Sequence, residues 1–176
     1  MSGEPLPVEL ANTTYAVRGK VRDGLADVGA LSAWLELTLP GLPSPREADL
    51  TVARELRDAI RALAGAVVAG ERPAEAAVEA VNKHARTAPR WRELRWDAPP
   101  SAVPYNTLGG VAGALSSIAQ EAVDLFAGPL LDDLRACHAP GCVLFFVKDH
   151  PRREWCSAGC GNRARAARHY DKVRGA

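Results

Sequence analysis

The sequence predicts a helix-rich α+β body followed by a small C-terminal treble-clef-like module, and three observations carry that expectation. Through most of the first 134 residues, apolar side chains recur at three- and four-residue spacing, and only a few short segments alternate as strands do. All four cysteines lie between positions 137 and 160, as Cys137-x4-Cys142 and Cys156-x3-Cys160. Charge is split at the same place. Residues 135–176 hold nine Lys and Arg against three acids, a net +6, whereas the rest holds thirteen basic and eighteen acidic residues, a net −5.

The elements follow in order. Val8 to Asn12 reads as a short strand, with a polar turn at Asn12 to Thr14. Arg22, Asp23 and Gly24 punctuate a loop, where turn chemistry accounts for Asn12, Arg22 and Asp23 as well as a functional role does. Asp27 is a suitable N-cap for a helix carrying Leu31, Trp34, Leu35 and Leu37 that Pro40 stops. Ser44 and Glu47 form a capping-box pair around Pro45, and Leu50, Ala53, Leu56, Ile60, Leu63 and Val67 then define one buried face up to Gly70. A further helix spans Pro73 to Arg86, with His84 an ordinary polar position on it. Trp91 to Asp97 alternates as a strand and Val103 to Leu108 returns as a second, separated by Pro99 and Pro100. Gly109 to Ala127 is a helix rich in small residues, and Gly128-Pro129 interrupt it before a last turn, Leu130 to Leu134. Trp and Leu throughout this body are expected in its core.

At 176 residues and 47% hydrophobic content, the chain has enough apolar material for one body, residues 1–134, and one appendage, residues 135–176. Met1 to Asn12 carries Glu4, Pro5, Pro7 and Glu9 and does not resemble a signal peptide, and no apolar run is long enough for a membrane span. The expected setting is cytoplasmic. Thiols stay reduced there, so clustered cysteines favour metal over the competing reading of two disulfides.

Two close thiol pairs suit a tetrahedral Zn²⁺. His138-Ala139-Pro140-Gly141 makes a tight knuckle between Cys137 and Cys142, and Val143 to Val147 is a β-type run. After a turn at Lys148 to Pro151, Arg152 to Trp155 is expected to pair back on that run as a hairpin. Ser157 is a good N-cap, which places Cys156 just before a helix and Cys160 in its first turn, where the helix dipole favours thiolates. Four sulfurs close the coordination shell, so one structural zinc is expected, with His138 and His150 as substitute ligands.

On a 100°-per-residue wheel, Arg165, Arg168, His169 and Lys172 of the last helix fall within about 100° of one another. This basic stripe is a candidate DNA contact, with Arg152 and Arg153 assisting from the hairpin; the alternative is a solvated helix face. The opposite side carries Cys160, Ala166, Ala167, Tyr170 and Val173 and is expected to close over the metal. Arg163 falls on this inner side, so it should bond carbonyls or an acid rather than read bases, and Asn162 should tie the first turn.

Trp155-Cys156-Ser157 and Cys160-Gly161-Asn162-Arg163, preceded by Cys137 and Cys142, resemble the CGNR zinc finger. Upstream, Glu9-Leu10-Ala11-Asn12-Thr13, the Asp23 to Trp34 stretch and Leu134-Arg135-Ala136-Cys137 resemble the ABATE domain, described as a putative stress-induced transcription regulator. The resemblance implies a bacterial DNA-binding regulator with one structural zinc, in which Gly161, Asn162 and Arg163 are motif positions. The corresponding expectation for the body is sensing of an unknown small-molecule effector or formation of a homodimer. A protein-interaction module that binds no DNA, its apolar hairpin Leu144, Phe145 and Phe146 docking on the body or on a partner, is the alternative. No hydrolase, metalloprotease or phosphate-loop motif is present, so no enzymatic activity is expected.

Overall fold

A computed structural model describes residues 3–174, so the outermost positions of the two expected segments, 1–2 and 175–176, lie outside the described residues. The protein is a helix-rich α+β structure, 53% helical and 15% strand. Its longest helix, α3 (Glu47–Ala69), is organised by the stripe read from the sequence: Leu50, Ala53, Leu56, Ile60 and Leu63 are all buried. They meet Ala77 and Val81 of α4 (Glu75–Ala85) and Val111, Leu115, Ile118, Ala119 and Ala122 of α5 (Gly110–Ala127). The helix α2 (Val28–Thr38) adds Leu31 and Leu35 to this core, and its N-cap is Asp27, whose carboxylate accepts the Ala30 N–H at 2.8 Å.

Several expectations are corrected. Val8 to Asn12 is not a strand; α1 runs Leu6–Ala11 and buries Pro7, Val8, Leu10 and Ala11. Apolar positions 7, 8, 10 and 11 lie on one side of a helix but on both faces of a strand, and this side meets two hydrophobic clusters. The capping box is displaced too. Arg46, not Ser44, is the N-cap of α3, and its N–H donates to the Asp49 carboxylate at 2.8 Å, with acidic Glu47 and Asp49 in the first turn favoured by the helix dipole.

A first hairpin, β1 (Thr14–Val17) with β2 (Lys20–Asp23), follows α1. A second, β3 (Arg90–Arg95) with β4 (Ser101–Asn106), pairs Trp91 with Tyr105, whose rings stack at 6.0 Å. Every residue of β3 is exposed, and Trp96 just beyond it is 82% exposed. The expected burial of Trp91, Leu94 and Trp96 is therefore wrong. Alternation predicts a ribbon, but only a covering element can bury one of its faces, and among the described residues β3 stays exposed along its whole length.

The C-terminal segment is stitched into the body. After a 3₁₀ turn (Pro129–Asp133), β5 (Leu134–Ala136) pairs antiparallel with β6 (Phe145–Val147), and the cysteine knuckle is the connection between them. The expected pairing of Arg152 to Trp155 against this strand does not form. Four side-chain bonds close the outer edge of β6 instead. Asn12 donates to the Phe145 carbonyl at 2.8 Å and accepts its N–H at 2.9 Å, Glu4 accepts the Val147 N–H at 2.8 Å, and Arg153 donates to the Val147 carbonyl at 3.0 Å. Arg61 reaches the same segment, donating to the Val143 carbonyl at 3.1 Å and stacking over Phe145. Phe145 and Val147 pack with Val8, Ala64 and Leu125 of the body, whereas Phe146 packs with the cysteines, so three consecutive residues are buried on two faces.

Candidate metal centre

Each cysteine is placed by a local feature. The knuckle turns on a bond from the Cys142 N–H to the Ala139 carbonyl at 2.9 Å, and Gly141 takes a positive φ of 70° that a side chain would strain. On the other side, α6 (Ala158–Arg174) begins after Ser157, whose hydroxyl accepts the Cys160 N–H at 3.2 Å. Cys156 precedes the helix and Cys160 sits in its first turn, as the spacing predicts. Gly161 is buried beneath Trp155; a Cβ there would stand 3.0 Å from the indole Cδ1, so the motif glycine permits this approach.

The four sulfurs lie within 4.8 Å of one another and none is in a disulfide. Cys142 and Cys156 are 3.8 Å apart, Cys142 and Cys160 3.8 Å, and Cys156 and Cys160 3.4 Å. A tetrahedron with Zn–S bonds of about 2.3 Å has edges of about 3.8 Å. The donor set therefore fits one zinc ion with all four positions filled by protein, a structural site. His138 and His150 stand outside the cluster; the His150 Nδ1 accepts the Arg152 N–H at 3.1 Å.

Electrostatics calls for a cation here. Burial pushes the Cys142 thiol up to about 11 and raises Cys156 as well, with neighbouring sulfurs adding to both. Burial also opposes ionisation of Cys160, but hydrogen bonds from Ser157 and the other thiols outweigh it and lower its value. Burial thus works against thiolates at Cys142 and Cys156, and a divalent ion would supply the charge that holds the sulfurs ionised. Arg163 adds to this: its guanidinium donates to the Cys160 sulfur at 3.0 Å. The wheel places Arg163 on the inner side, but the residue is exposed, and its partner is a sulfur rather than a carbonyl or an acid.

The rest of α6 departs from the expectation. Cys160, Gly161 and Ala164 are buried and Ala167 half-buried, but Ala166 is exposed and Tyr170 and Val173 are 68% and 63% exposed. The finger is too small to cover more than the first turns, so the helix outruns it. Arg165, Arg168, His169 and Lys172 are all exposed and line one cleft of about 280 Å³. Asn162 does not tie the first turn; its side-chain oxygen accepts from Arg165 at 2.5 Å. Arg152 is exposed, but Arg153 is committed inward, paired with Glu4, bonded to Val147 and stacked on Phe146. Sequence reasoning missed Glu4 and Arg61 as residues holding the module; Asn12 it reads as a turn or functional loop residue and as part of the family-like Glu9 to Thr13 string, without its partner Phe145.

Body and centre together define a zinc-finger protein in which a helical α+β domain carries a four-cysteine module. The model of the ABATE family, "Putative stress-induced transcription regulator", matches residues 4–129, and that of the CGNR zinc finger matches residues 134–172. The chain belongs to the ABATE family and carries a CGNR finger. No curated protein matches it. Among the described residues, no helix is long and apolar enough to cross a membrane.

Proposed function

We propose that this protein is a bacterial, cytoplasmic transcription regulator that acts by binding rather than catalysis, holding DNA through the exposed stripe of α6. The zinc sets the angle of that helix by fixing its first turn to the knuckle. The carrying observation is that Arg165, Arg168, His169 and Lys172 share one cleft on the part of α6 that leaves the module, and none forms an ion pair with a described side chain. Phosphates are the natural partner for such a face, and helix length beyond the finger is what entry into a groove requires. The body, in this reading, senses a small molecule or forms a homodimer; a single short stripe makes few phosphate contacts, and a dimer doubles them.

Reversing Arg165, Arg168 and Lys172 to Glu tests it. Zinc content should be unchanged, while retention of duplex DNA is lost and the salt dependence of what remains falls by roughly three phosphate contacts. Unchanged DNA retention removes the stripe from the interface. In the alternative, a protein-interaction module, Phe145 and Phe146 are not free for a partner, because Phe145 is buried against the body and Phe146 among the cysteines. Such a module keeps the exposed Trp96 ribbon. Apolar docking there would survive added salt, whereas DNA binding would not.

A further inference from the structure

The body contains a cavity of about 630 Å³ between the end of α2, the strand β4 and the helix α5. That size falls among small-molecule sites, which run from about 300 to 1,000 Å³. One part of its wall is apolar, with Leu39, Leu42 and Ile118. The polar lining includes Ser117 and Glu121, one turn apart on α5, and Arg90, which stands 3.8 Å from Glu121.

The charge in that polar part is unbalanced. Arg90 gives its hydrogen bond to Asp124, at 2.7 Å, and at 3.8 Å its contact with Glu121 is beyond hydrogen-bond length. One guanidinium is thus shared between two carboxylates, leaving a net −1. Glu121 is only 38% exposed at its side chain and accepts no hydrogen bond from the described residues. Burial pushes its carboxyl up and Asp124 adds to the rise, against the opposing pull of Arg90. A carboxylate in that position is completed by a donor carrying positive charge.

We infer that this cavity binds a small hydrophobic amine, its apolar body against Leu39, Leu42 and Ile118 and its ammonium on Glu121. A carboxylate ligand is disfavoured, because it would meet the Glu121 acid and an arginine already bonded to Asp124. The inference rests on the reading of the body as the sensing part of the regulator. It is independent of the α6 stripe, so DNA retention and cavity binding fail or succeed separately.

The test uses the full zinc-loaded chain and three probes of one shape: 1-naphthylmethylamine, 1-naphthylmethanol and 1-naphthoate, measured by calorimetry. The amine should bind at least ten-fold more tightly than the alcohol, with naphthoate weakest. Glu121→Gln should erase the preference for the amine and leave the alcohol unchanged, and Ser117→Trp should block all three. In the unaltered protein, amide shifts on adding the amine should centre on residues 105–106 and 114–121, which keeps the test independent of how either variant folds. Absence of saturable amine binding, a preference that survives Glu121→Gln, tighter binding of naphthoate, or shifts centred elsewhere would each overturn the inference.

Discussion

Asn12 takes the place of a neighbouring strand, and its removal should unseat the finger. Its amide makes both bonds to the backbone of Phe145, at 2.8 and 2.9 Å, across a sequence separation of 133 residues. In Asn12→Ala both disappear, and a part-buried N–H and C=O on β6 lose their partners. An orphaned buried group costs about 1–3 kcal/mol, and partial water access favours the lower half, so the pair should cost about 3 kcal/mol. For a chain of this size that corresponds to a fall in Tm of roughly 6–12 °C. Asn12→Asp should be no better, since a carboxylate accepts the N–H but cannot donate to the carbonyl. Thermal unfolding of the zinc-loaded protein gives the stability, and zinc transfer to a chromophoric chelator should quicken, because Leu144 next along the strand accepts the Cys137 N–H at 2.8 Å. A change in stability within about 0.5 kcal/mol, the range of a neutral surface substitution, would refute the edge-closing role.

Arg153→Met should cost about 3–5 kcal/mol by leaving the Glu4 carboxylate, 2% exposed at its side chain, without its cation. Combining it with Glu4→Gln should recover part of that loss in urea unfolding, and no recovery would count against a buried pair. Arg163→Met should weaken zinc retention by about 10–100-fold in a chelator competition, as expected of a lost bond to a metal-bound sulfur. His84 gives a pH dependence. Burial, the largest influence, lowers its value below 6.5, and its Nε2 lies 3.3 Å from Glu55 in a geometry that makes no hydrogen bond. Above 6.5 both folded and unfolded chains keep His84 neutral, so its contribution is intact. As pH falls through the folded value the unfolded chain has already taken up the proton, and stability declines. Urea midpoints should therefore drop from about pH 7.5 to 5, and the slope should shrink in His84→Leu.

Some of this molecule was legible before folding because its causes are local. The α3 stripe, the Asp27 cap, the knuckle turn and the Ser157 start of α6 each depend on residues within a few positions of one another. The four cysteines belong here too, since their spacing alone brings thiols to one point and identifies the ion they suit. What neighbours decide was not legible. Apolar residues at 7, 8, 10 and 11 became a helix because two clusters lay on one side of them, and Trp96 stayed exposed because no described residue buries it. Arg153, read as a surface charge, is held by Glu4 from 149 positions away, and Asn12, read as a turn, completes a sheet edge. A sequence states what a residue can bond to; only the packed chain brings a distant partner within reach, since such contacts carry no period or spacing along the chain.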